Sequence, residues 1–375
     1  MPVRAVAEVN LAAIERNVTT LRARLTGGAR FGAVVKADGY GHGAVPVAVA
    51  AQNAGADYLA VATADEAAAL RQAGVPGPLL VLGAISLEEL PAAVAARAEI
   101  VAWDERFVVA LSRAGTELGE PLRVHVKLDS GLGRLGTRDA THAFEVAAAV
   151  QRAPGLKLTG AMTHFATSDS DLEFATEQLR IFTVFLDRLR RVAPNLTAHA
   201  ANSAGTLCLP ASHLDLVRCG IAVYGADPLN EDPSAHGLEP ALRLTSYVAA
   251  VKQADTGQSA GYGRRFIAER PTWLGTLPIG YGDGVSRGLT NNCDVLIRGR
   301  RYPLVGTVSM DNITVDLGPD PTVEVGEPAI LIGTDGDERQ TAEAIAHRLG
   351  TISYEVLCGI SARVPRRHHR DGIPA

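Results

Sequence analysis

Short apolar runs alternate with longer helical patterns up to about Asp232, and this alternation most constrains the fold of the 375-residue chain. Segments between the runs, such as Ala64–Ala73 and Phe174–Val192, repeat apolar residues at the spacing of an amphipathic helix. The runs have the length of buried strands: FGAVVK, YLAVA, LLVLG, EIVAW, RVHVK, TGAMTH, TAHAAN and LVRCG. About eight such units predict an α/β fold, a (β/α)8 TIM-type barrel. A doubly wound open sheet is the alternative, although no GxGxxG pattern opens its first turn.

The pattern changes after Asp232. EDPSAHGLEP has the composition of a linker, and the segments beyond it resemble β-strands separated by glycine-rich turns. One helix interrupts them, with Thr341 as its N-cap and Gly350 as its stop. We therefore expect a barrel over residues 10–232 and a mostly β C-terminal domain over residues 233–375. We expect the N-terminal strand, within residues 1–9, to pack with the β-domain.

Composition and charge exclude several classes of protein. The formal net charge is −5 and no long basic block interleaves with aromatics, so we expect no nucleic-acid partner. The one basic run, RRHHR at Arg366–Arg370, is interpreted as a solvated tail. No apolar run reaches the length of a membrane span, and the N-terminus lacks a signal-peptide core, so we expect no membrane partner. Four scattered cysteines without a CxxC predict reduced thiols in the cytoplasm and no metal site.

Polar side chains stand where the predicted strands end. In a barrel of this type the C-terminal ends of the strands meet at one mouth, where the chemistry is found. Each residue alone has an ordinary explanation: a salt bridge for a lysine, a core position for the histidine, a helix cap for Asn202 and Ser203, or a buried ion pair for the arginine. Their convergence favours an active site. The strand-end residues are Lys36, Lys127, His164, Asn202 with Ser203, and Arg218.

The segments after the last two strands suit a phosphate group. NSAG from Asn202 and CGI from Cys219 occupy the loops where barrel enzymes often bind phosphate, and Gly205 and Gly220 allow close backbone approach. A lysine facing a phosphate across the mouth suggests pyridoxal 5'-phosphate, whose aldehyde condenses with a neutral amine. Burial among cations favours the neutral amine, so Lys36 is the candidate for that bond.

Nine motifs in order resemble the bacterial alanine racemases over nearly the whole chain. They are AVVKADGYGHG, KLDSGLGRLG, THFA, HAANSAG, VRCGIAVYG, AGYGRRF, GYGDG, VGTVSMD and SYEVLC. The resemblance implies a pyridoxal-phosphate barrel, a C-terminal β-domain and a head-to-tail homodimer with shared active sites. It also implies interconversion of L- and D-alanine, a small amino-acid substrate, to supply D-alanine for peptidoglycan.

The resemblance implies two bases on opposite faces of the substrate. Lys36 corresponds to the lysine that forms the aldimine and moves one proton, and Tyr262 of the second subunit corresponds to the opposing base. Arg218 matches the partner of the pyridine nitrogen; because arginine only donates hydrogen bonds, that nitrogen should stay unprotonated. His164 would lie between Arg218 and the Tyr262 hydroxyl.

The remaining roles also come from the resemblance. Leu82 would contact the cofactor ring, and Lys127 corresponds to a lysine that is carbamylated in many members, which would orient Arg134. The alternative for Lys127 is an unmodified amine paired with Asp129. Further cofactor positions are Tyr40, Asn202, Ser203, Gly220, Ile221 and Tyr354. Substrate positions are Arg134, Tyr281, Met310 and Asp311. The sequence departs from the common pattern at Ser309, where many members carry cysteine.

Other functions stay open at the level of sequence. A decarboxylase on a similar architecture would pair the pyridine nitrogen with an acid, so Arg218 argues against it. A non-catalytic pyridoxal-phosphate carrier resembles the barrel alone, which leaves the β-domain without a purpose. A racemase acting on serine or larger amino acids is a further alternative.

Overall fold

The computed structural model describes residues 3–319 and 322–375 and divides them between two compact units. The barrel unit contains residues 14–39 and 44–223. The β unit contains the N-terminal segment up to Ala13, the short segment Tyr40–Gly43 and the chain from Tyr224 onward. The first two residues of the predicted segment 1–9 lie outside the described residues, and the predicted boundary at Asp232 stays a prediction.

The barrel unit is built on eight parallel strands. The first strand, Arg30–Val34, pairs with both the second and the last strand, so the sheet curls back on itself. The last two strands are bridged by backbone bonds from Asp215 N to Ala198 O (3.0 Å) and from Arg218 N to Ala201 O (2.9 Å). The barrel prediction is confirmed and the open-sheet alternative is wrong. In chain order the strands are Arg30–Val34, Tyr58–Val61, Leu79–Val81, Glu99–Ala102, Leu122–Lys127, Leu156–Met162, Thr197–His199 and Leu216–Cys219.

Helices alternate with these strands, and most begin at a polar cap. The Thr63 hydroxyl and the Asp104, Asp139 and Asp171 carboxylates accept hydrogen bonds from first-turn N–H groups, which otherwise lack partners. The strands are almost wholly buried because helices cover them, as expected for a parallel sheet. The helices are Leu11–Arg22, Lys36–Tyr40 (a short irregular turn), Ala44–Asn53, Ala64–Gln72, Leu90–Ala95, Glu105–Leu118, Ala140–Arg152, Leu172–Arg190 and Ser203–Cys208. None of the helices in the described residues is long and apolar enough to span a membrane.

The β unit is mostly β, as predicted. In its largest sheet Val6–Asn10 lies between Leu242–Tyr247, to which it is antiparallel, and Arg366–Arg370, to which it is parallel. Its remaining strands are Ala250–Ala254, Ser259–Ala260, Phe266–Ile267, Thr272–Leu277, Asp294–Ile297, Arg300–Pro303, Ile313–Gly318, Pro328–Asp335, Glu338–Gln340 and Ile373–Pro374. The predicted helix is Ala342–Leu349, capped by Thr341 and ended by Gly350 in the left-handed conformation. A second helix, Ser353–Cys358, has no counterpart in the sequence prediction.

The interpretation of RRHHR as a solvated tail is wrong. These residues form a strand whose backbone pairs with the Ala7–Asn10 part of the N-terminal strand. The Arg366 guanidinium donates to the carbonyl oxygens of Gly41 (2.8 Å) and Ile360 (2.6 Å), among others. This charged run can form part of the sheet because its backbone groups pair with the N-terminal strand and because the Arg366 guanidinium donates to carbonyl oxygens.

Asp283 connects separate segments of the β unit. Its fully buried carboxylate accepts two hydrogen bonds from Arg4 (2.8 and 2.7 Å) and one from Gly280 N (2.9 Å). Arg363 Nε lies 3.5 Å from the same carboxylate. A buried carboxylate requires such partners, so the N-terminal segment and the GYGDG turn are fixed to each other.

We expect Asp283→Asn to lower the free energy of unfolding by about 2 kcal/mol, because the amide cannot match both arginines. Urea unfolding of the purified protein measures this. The matched control is Asp232→Asn, since the exposed Asp232 carboxylate meets Arg339 at 3.2 Å on the surface. That change should stay within about 0.5 kcal/mol. Equal effects of the two variants would contradict the assignment.

Candidate active site

Lys36 lies on a strained turn at the end of the first barrel strand. The strand runs into buried Val35 and half-buried Lys36, and the next residues take left-handed φ angles: Ala37 52°, Asp38 51° and Gly39 61°. This conformation costs a non-glycine residue about 1–2 kcal/mol. The turn therefore needs support from its surroundings.

Glu66 supplies much of that support. Its two carboxylate oxygens accept from Ala37 N at 2.6 Å and from Ala62 N at 2.8 Å, which joins the Lys36 turn to the end of the next strand. The Asp38 carboxylate accepts from Ala44 N at 2.8 Å. Sequence reasoning missed Glu66, although Thr63 and Glu66 have the spacing of a capping box and do form one.

Cations crowd the barrel mouth. Lys127, only 3% exposed, ends its strand, and its pKa falls to about 8 because it is desolvated and faces Arg218 and then Arg134. The Arg134 side chain is exposed. Asp129 accepts from Gly131 and Gly133 N–H groups and pairs with Arg138 at 3.3 Å. Within the described residues no ion pair of 4.0 Å or less joins Lys127 to Asp129, although the charge of Asp129 still favours the protonated amine, so the alternative of a paired lysine stays a prediction.

Arg218 is buried, and it donates to several acceptors at once. Nη2 donates to Thr163 O (2.9 Å) and Ala200 O (3.0 Å), and it lies 3.0 Å from His164 Nδ1. Burial lowers the pKa of Arg218 to about 10, which leaves it a cation near neutral pH. The pKa of His164 falls well below its usual value because the ring is desolvated and faces Arg218, Lys127, Arg134 and Lys36. His164 is thus a neutral ring that accepts at Nδ1.

A chain of buried polar side chains continues from Arg218 through the barrel interior. Arg218 Nη1 lies 2.8 Å from His199 Nδ1, and His199 Nε2 lies 2.7 Å from His125 Nδ1. His125 Nε2 lies 2.6 Å from Glu99 Oε2, and Arg123 Nε donates to Glu99 Oε1 at 2.7 Å. Sequence reasoning gave no role to His125, His199 or Glu99. The available signal was a polar residue within each of the apolar runs EIVAW, RVHVK and TAHAAN.

Ser203 joins the two segments predicted to bind phosphate. Its hydroxyl accepts from Gly220 N (2.9 Å) and from Ala222 N (3.3 Å). Asn202 caps the following short helix by accepting from Gly205 N at 2.8 Å, so the capping explanation for Asn202 is confirmed. Ile221 follows these segments as a buried residue, and Leu82 lies half-buried after the third barrel strand. The cofactor-binding roles of these residues stay predictions.

The other predicted residues belong to the β unit. The Tyr40 ring lies 4.9 Å from the Tyr224 ring and 6.1 Å from the Tyr354 ring, measured between centroids, so these aromatics form one cluster. Tyr40 itself is buried, whereas Tyr354 is half-buried. The predicted phosphate ligands Tyr40 and Tyr354 are therefore brought together by this unit.

Tyr262, Tyr281 and Met310 lie on adjoining turns of the β unit. Thr307 Oγ1 donates to Tyr262 O (2.6 Å), and Tyr281 N donates to Ser309 O (3.0 Å). The Tyr262 side chain is 75% exposed, and those of Tyr281 and Met310 are also exposed. Asp311, beside Met310, accepts from Arg363 at 2.7 Å. These four predicted residues form an exposed group.

Ser309 closes one of these turns. Its hydroxyl donates to Asn312 O at 2.7 Å and accepts from Asn312 N at 3.1 Å. The serine at this position therefore has a local structural role in holding the turn that carries Met310.

The barrel, its strand-end lysine and its buried arginine indicate a barrel enzyme whose site lies at the C-terminal ends of the strands. Two family models match the chain: "Alanine racemase, N-terminal domain" over residues 9–228 and "Alanine racemase, C-terminal domain" over residues 241–368. The chain belongs to the alanine racemase family.

Known proteins resemble the chain over almost its whole length. It is 42% identical to an alanine racemase of Symbiobacterium thermophilum over 363 residues, with 96% of each chain covered. It is 40% identical to "Alanine racemase 2" of Caldanaerobacter subterraneus subsp. tengcongensis over 361 residues, covering 96% of this chain and 93% of the relative. The crystal structure of alanine racemase from D-cycloserine-producing Streptomyces lavendulae superposes with a TM-score of 0.92, 36% identity and 98% coverage of both chains.

We expect Glu66→Gln to loosen the Lys36 turn, because an amide has one acceptor oxygen where the carboxylate has two. The free energy of unfolding should fall by about 1 kcal/mol. Hydrogen exchange at the Ala37 amide should accelerate more than exchange in the barrel strands. Glu88→Gln, at an exposed position, is the control and should change neither quantity. Unchanged exchange at Ala37 in Glu66→Gln would contradict this role.

Proposed function

We propose that the chain interconverts L- and D-alanine, with pyridoxal phosphate as cofactor and a second copy of itself as partner. The observation that carries the proposal is buried Arg218, a donor-only group grouped with Lys36, Lys127 and His164 at one barrel mouth in a member of this family. We further propose that it works in the cytoplasm and supplies D-alanine for peptidoglycan. In support, the described residues contain no disulfide among the four cysteines.

The barrel residues fit pyridoxal phosphate. In the described part of the chain the contacts of Arg218 use only its two terminal nitrogens, so its Nε–H is available to an acceptor such as a pyridine nitrogen. When bound, the cofactor supplies an electron-withdrawing ring that acidifies the α-hydrogen of an attached amino acid. Lys36 would hold its aldehyde carbon and Leu82 its ring. Its phosphate would be held by Tyr40, Ser203, Gly220, Ile221 and Tyr354, and Asn202 would be a further cofactor-binding residue.

Arg218 and His164 set the protonation of the site. Because Arg218 donates and stays charged, a nitrogen facing it accepts and carries no proton. A decarboxylase of this architecture would pair the pyridine nitrogen with an acid, so an arginine at position 218 disfavours that alternative. His164 accepts from Arg218 at Nδ1, so its hydrogen is at Nε2, where it can donate to a phenolate oxygen.

Two groups move the proton. Lys36 takes or returns it at Nζ on one face of the substrate, and Tyr262 of the second subunit does so at its hydroxyl oxygen on the other. Support for a contribution from a second subunit comes from Tyr262, which is 75% exposed while its backbone is held by Thr307. Arg134 and, from the second subunit, the Met310 N–H beside Asp311 would bind the substrate carboxylate. Tyr281, with Tyr354, would exclude large side chains.

Incubation of the protein and cofactor with L-alanine should produce D-alanine, measured by a stereospecific assay. Lys36→Ala should abolish both activity and the yellow absorbance, because the amine that binds the aldehyde is lost. Tyr262→Phe should keep the absorbance and lose most activity. When the two variants are mixed and their subunits exchange at random, about half of the dimers contain one subunit of each variant. One of the two sites in such a dimer has both Lys36 and Tyr262, so up to about a quarter of all sites should be active.

Matched controls are Lys157→Ala, at an exposed position, and Tyr247→Phe, at the end of a β strand; both should keep wild-type activity. Wild-type activity in Tyr262→Phe would refute the two-base proposal. Coloured protein that never exchanges the alanine α-hydrogen with solvent deuterium would support a non-catalytic carrier instead.

We propose that Lys127 is carbamylated. With a pKa of about 8, roughly a tenth of the amine is neutral at pH 7, and the neutral amine adds carbon dioxide with loss of one proton. The product is an anion, so the Lys127 side chain would attract the Arg134 guanidinium, which the unmodified ammonium group repels. [13C]Bicarbonate should therefore give a protein carbamate signal by NMR that is missing in Lys127→Met and retained in Lys157→Met. The same signal in both variants would refute the assignment.

In carbon-dioxide-free buffer Lys127 should make stability depend on pH. Its folded pKa lies below the ordinary value of 10.5, so the unfolded chain binds more protons between about pH 8 and 10.5. The free energy of unfolding should rise across that window by about 3 kcal/mol at most. Lys127→Met should be more stable than wild type at pH 7 and should flatten the rise.

A further inference from the structure

Glu99 is a buried acid for which the proposed mechanism has no use. It begins the fourth barrel strand, at the end of the barrel opposite the mouth, and its side chain is almost fully inaccessible. His125 and His199 are fully buried between it and Arg218. The contacts from Glu99 to Arg218 are all 2.8 Å or shorter, so the barrel interior holds a continuous hydrogen-bonded chain.

The end at Arg218 fixes the direction of every hydrogen in this chain. Arginine can only donate, so His199 must accept at Nδ1 and carry its hydrogen at Nε2. That hydrogen faces His125 Nδ1, which must accept in turn, so His125 carries its hydrogen at Nε2 and donates to Glu99. Both imidazoles are therefore neutral, and a proton added to either would place two N–H groups against each other.

The end at Glu99 imposes the same direction independently. An ionised carboxylate only accepts, and Glu99 accepts from His125 at Oε2 and from Arg123 and, at 3.4 Å, the Tyr58 hydroxyl at Oε1. The two ends agree, so no hydrogen in the chain can reverse without creating a clash.

The strand beside His125 is shaped for this ring. A Cβ at Gly160 would lie 2.3 Å from His125 Nδ1, far inside contact distance, so a side chain there would displace the imidazole. The His125 ring therefore has room only because the neighbouring strand carries glycine at position 160. The backbone beside the hydrogen-bonded chain is thus matched to the His125 side chain.

We propose that Glu99, His125 and His199 form a positioning relay. The relay keeps the Arg218 guanidinium in position because it determines which ring nitrogen of each histidine carries the hydrogen. The inference rests on the proposed role of Arg218 as the donor to the cofactor nitrogen. A reversed hydrogen on His199 would oppose Arg218 Nη1–H and push the guanidinium out of line. The relay therefore acts on catalysis through Arg218 and touches neither substrate nor cofactor.

The first test reads the tautomers in the wild-type holoenzyme. With selective 15N labelling of the ten histidines, NMR should show the His125 and His199 rings as neutral with hydrogen at Nε2. Gly160→Ala should perturb the His125 signals and identify them. A doubly protonated His125, or hydrogen at Nδ1 of either ring, would overturn the relay, and this result requires no variant of Glu99 to fold.

The second test separates hydrogen direction from packing. In Glu99→Gln one amide oxygen remains for the His125 and Arg123 donors, whereas the Tyr58 hydroxyl can turn and accept from the new NH2 group, so a clash arises with either His125 or Arg123. We expect kcat for alanine to fall about tenfold with KM within about twofold, as for loss of one bond to a charged group. Glu99→Gln/Arg123→Gln removes the competing donor and should recover most of kcat. Glu120→Gln, in an exposed pair with Arg97 at 3.4 Å, is the control.

The outcomes distinguish this inference from the proposed function. A wild-type protein that fails to racemise alanine refutes the function, whatever the tautomers are. If the wild type is active and folded Glu99→Gln retains its kcat, the relay is refuted and the function stands. A double variant as slow as Glu99→Gln would also refute hydrogen direction as the cause.

Discussion

The burial of a permanent cation at Arg218 is the constraint on which the rest of the barrel site depends. A guanidinium removed from water must donate to acceptors in fixed directions, and this one uses Thr163 O, Ala200 O, His164 and His199. These acceptors come from the ends of neighbouring strands, so the closed barrel is what brings them to one point. Because this side chain only donates hydrogen bonds, every group that bonds to it must be an acceptor.

Its positive charge acts on each neighbouring titratable group. The pKa of Lys127 falls to about 8 and the pKa of His164 falls well below its usual value, in both cases through desolvation first and Arg218 second. Both shifts favour the neutral forms of these groups, and a neutral amine or imidazole can act as a nucleophile or as a hydrogen-bond acceptor. Glu99, at the far end of the barrel, is connected to Arg218 by hydrogen bonds through two histidines.

Sequence alone predicted the eight barrel strands because buried parallel strands are continuous apolar runs with polar residues only where they end. It also placed Lys36, Lys127, His164, Asn202 and Arg218 at one mouth. It missed Glu66, because a left-handed turn at an alanine and an aspartate leaves no signature in composition. It missed His125 and His199 because inward and outward positions of a strand cannot be told apart until the barrel closes. RRHHR was misread because strand pairing with residues near the N-terminus is a long-range contact that local charge does not reveal.

The central strand of the large β sheet has a consequence for how the molecule is made. Ala7 pairs with Arg366 on one side and with Leu244 on the other, so a strand that precedes the barrel in the chain lies between two strands that follow it. During synthesis the backbone N–H and C=O groups of the Val6–Asn10 strand lack their sheet partners while the barrel forms from local strand–helix units. Biogenesis of this protein is therefore ordered in time: the barrel can form early, whereas the sheet is completed only after the Arg366–Arg370 strand has been synthesised.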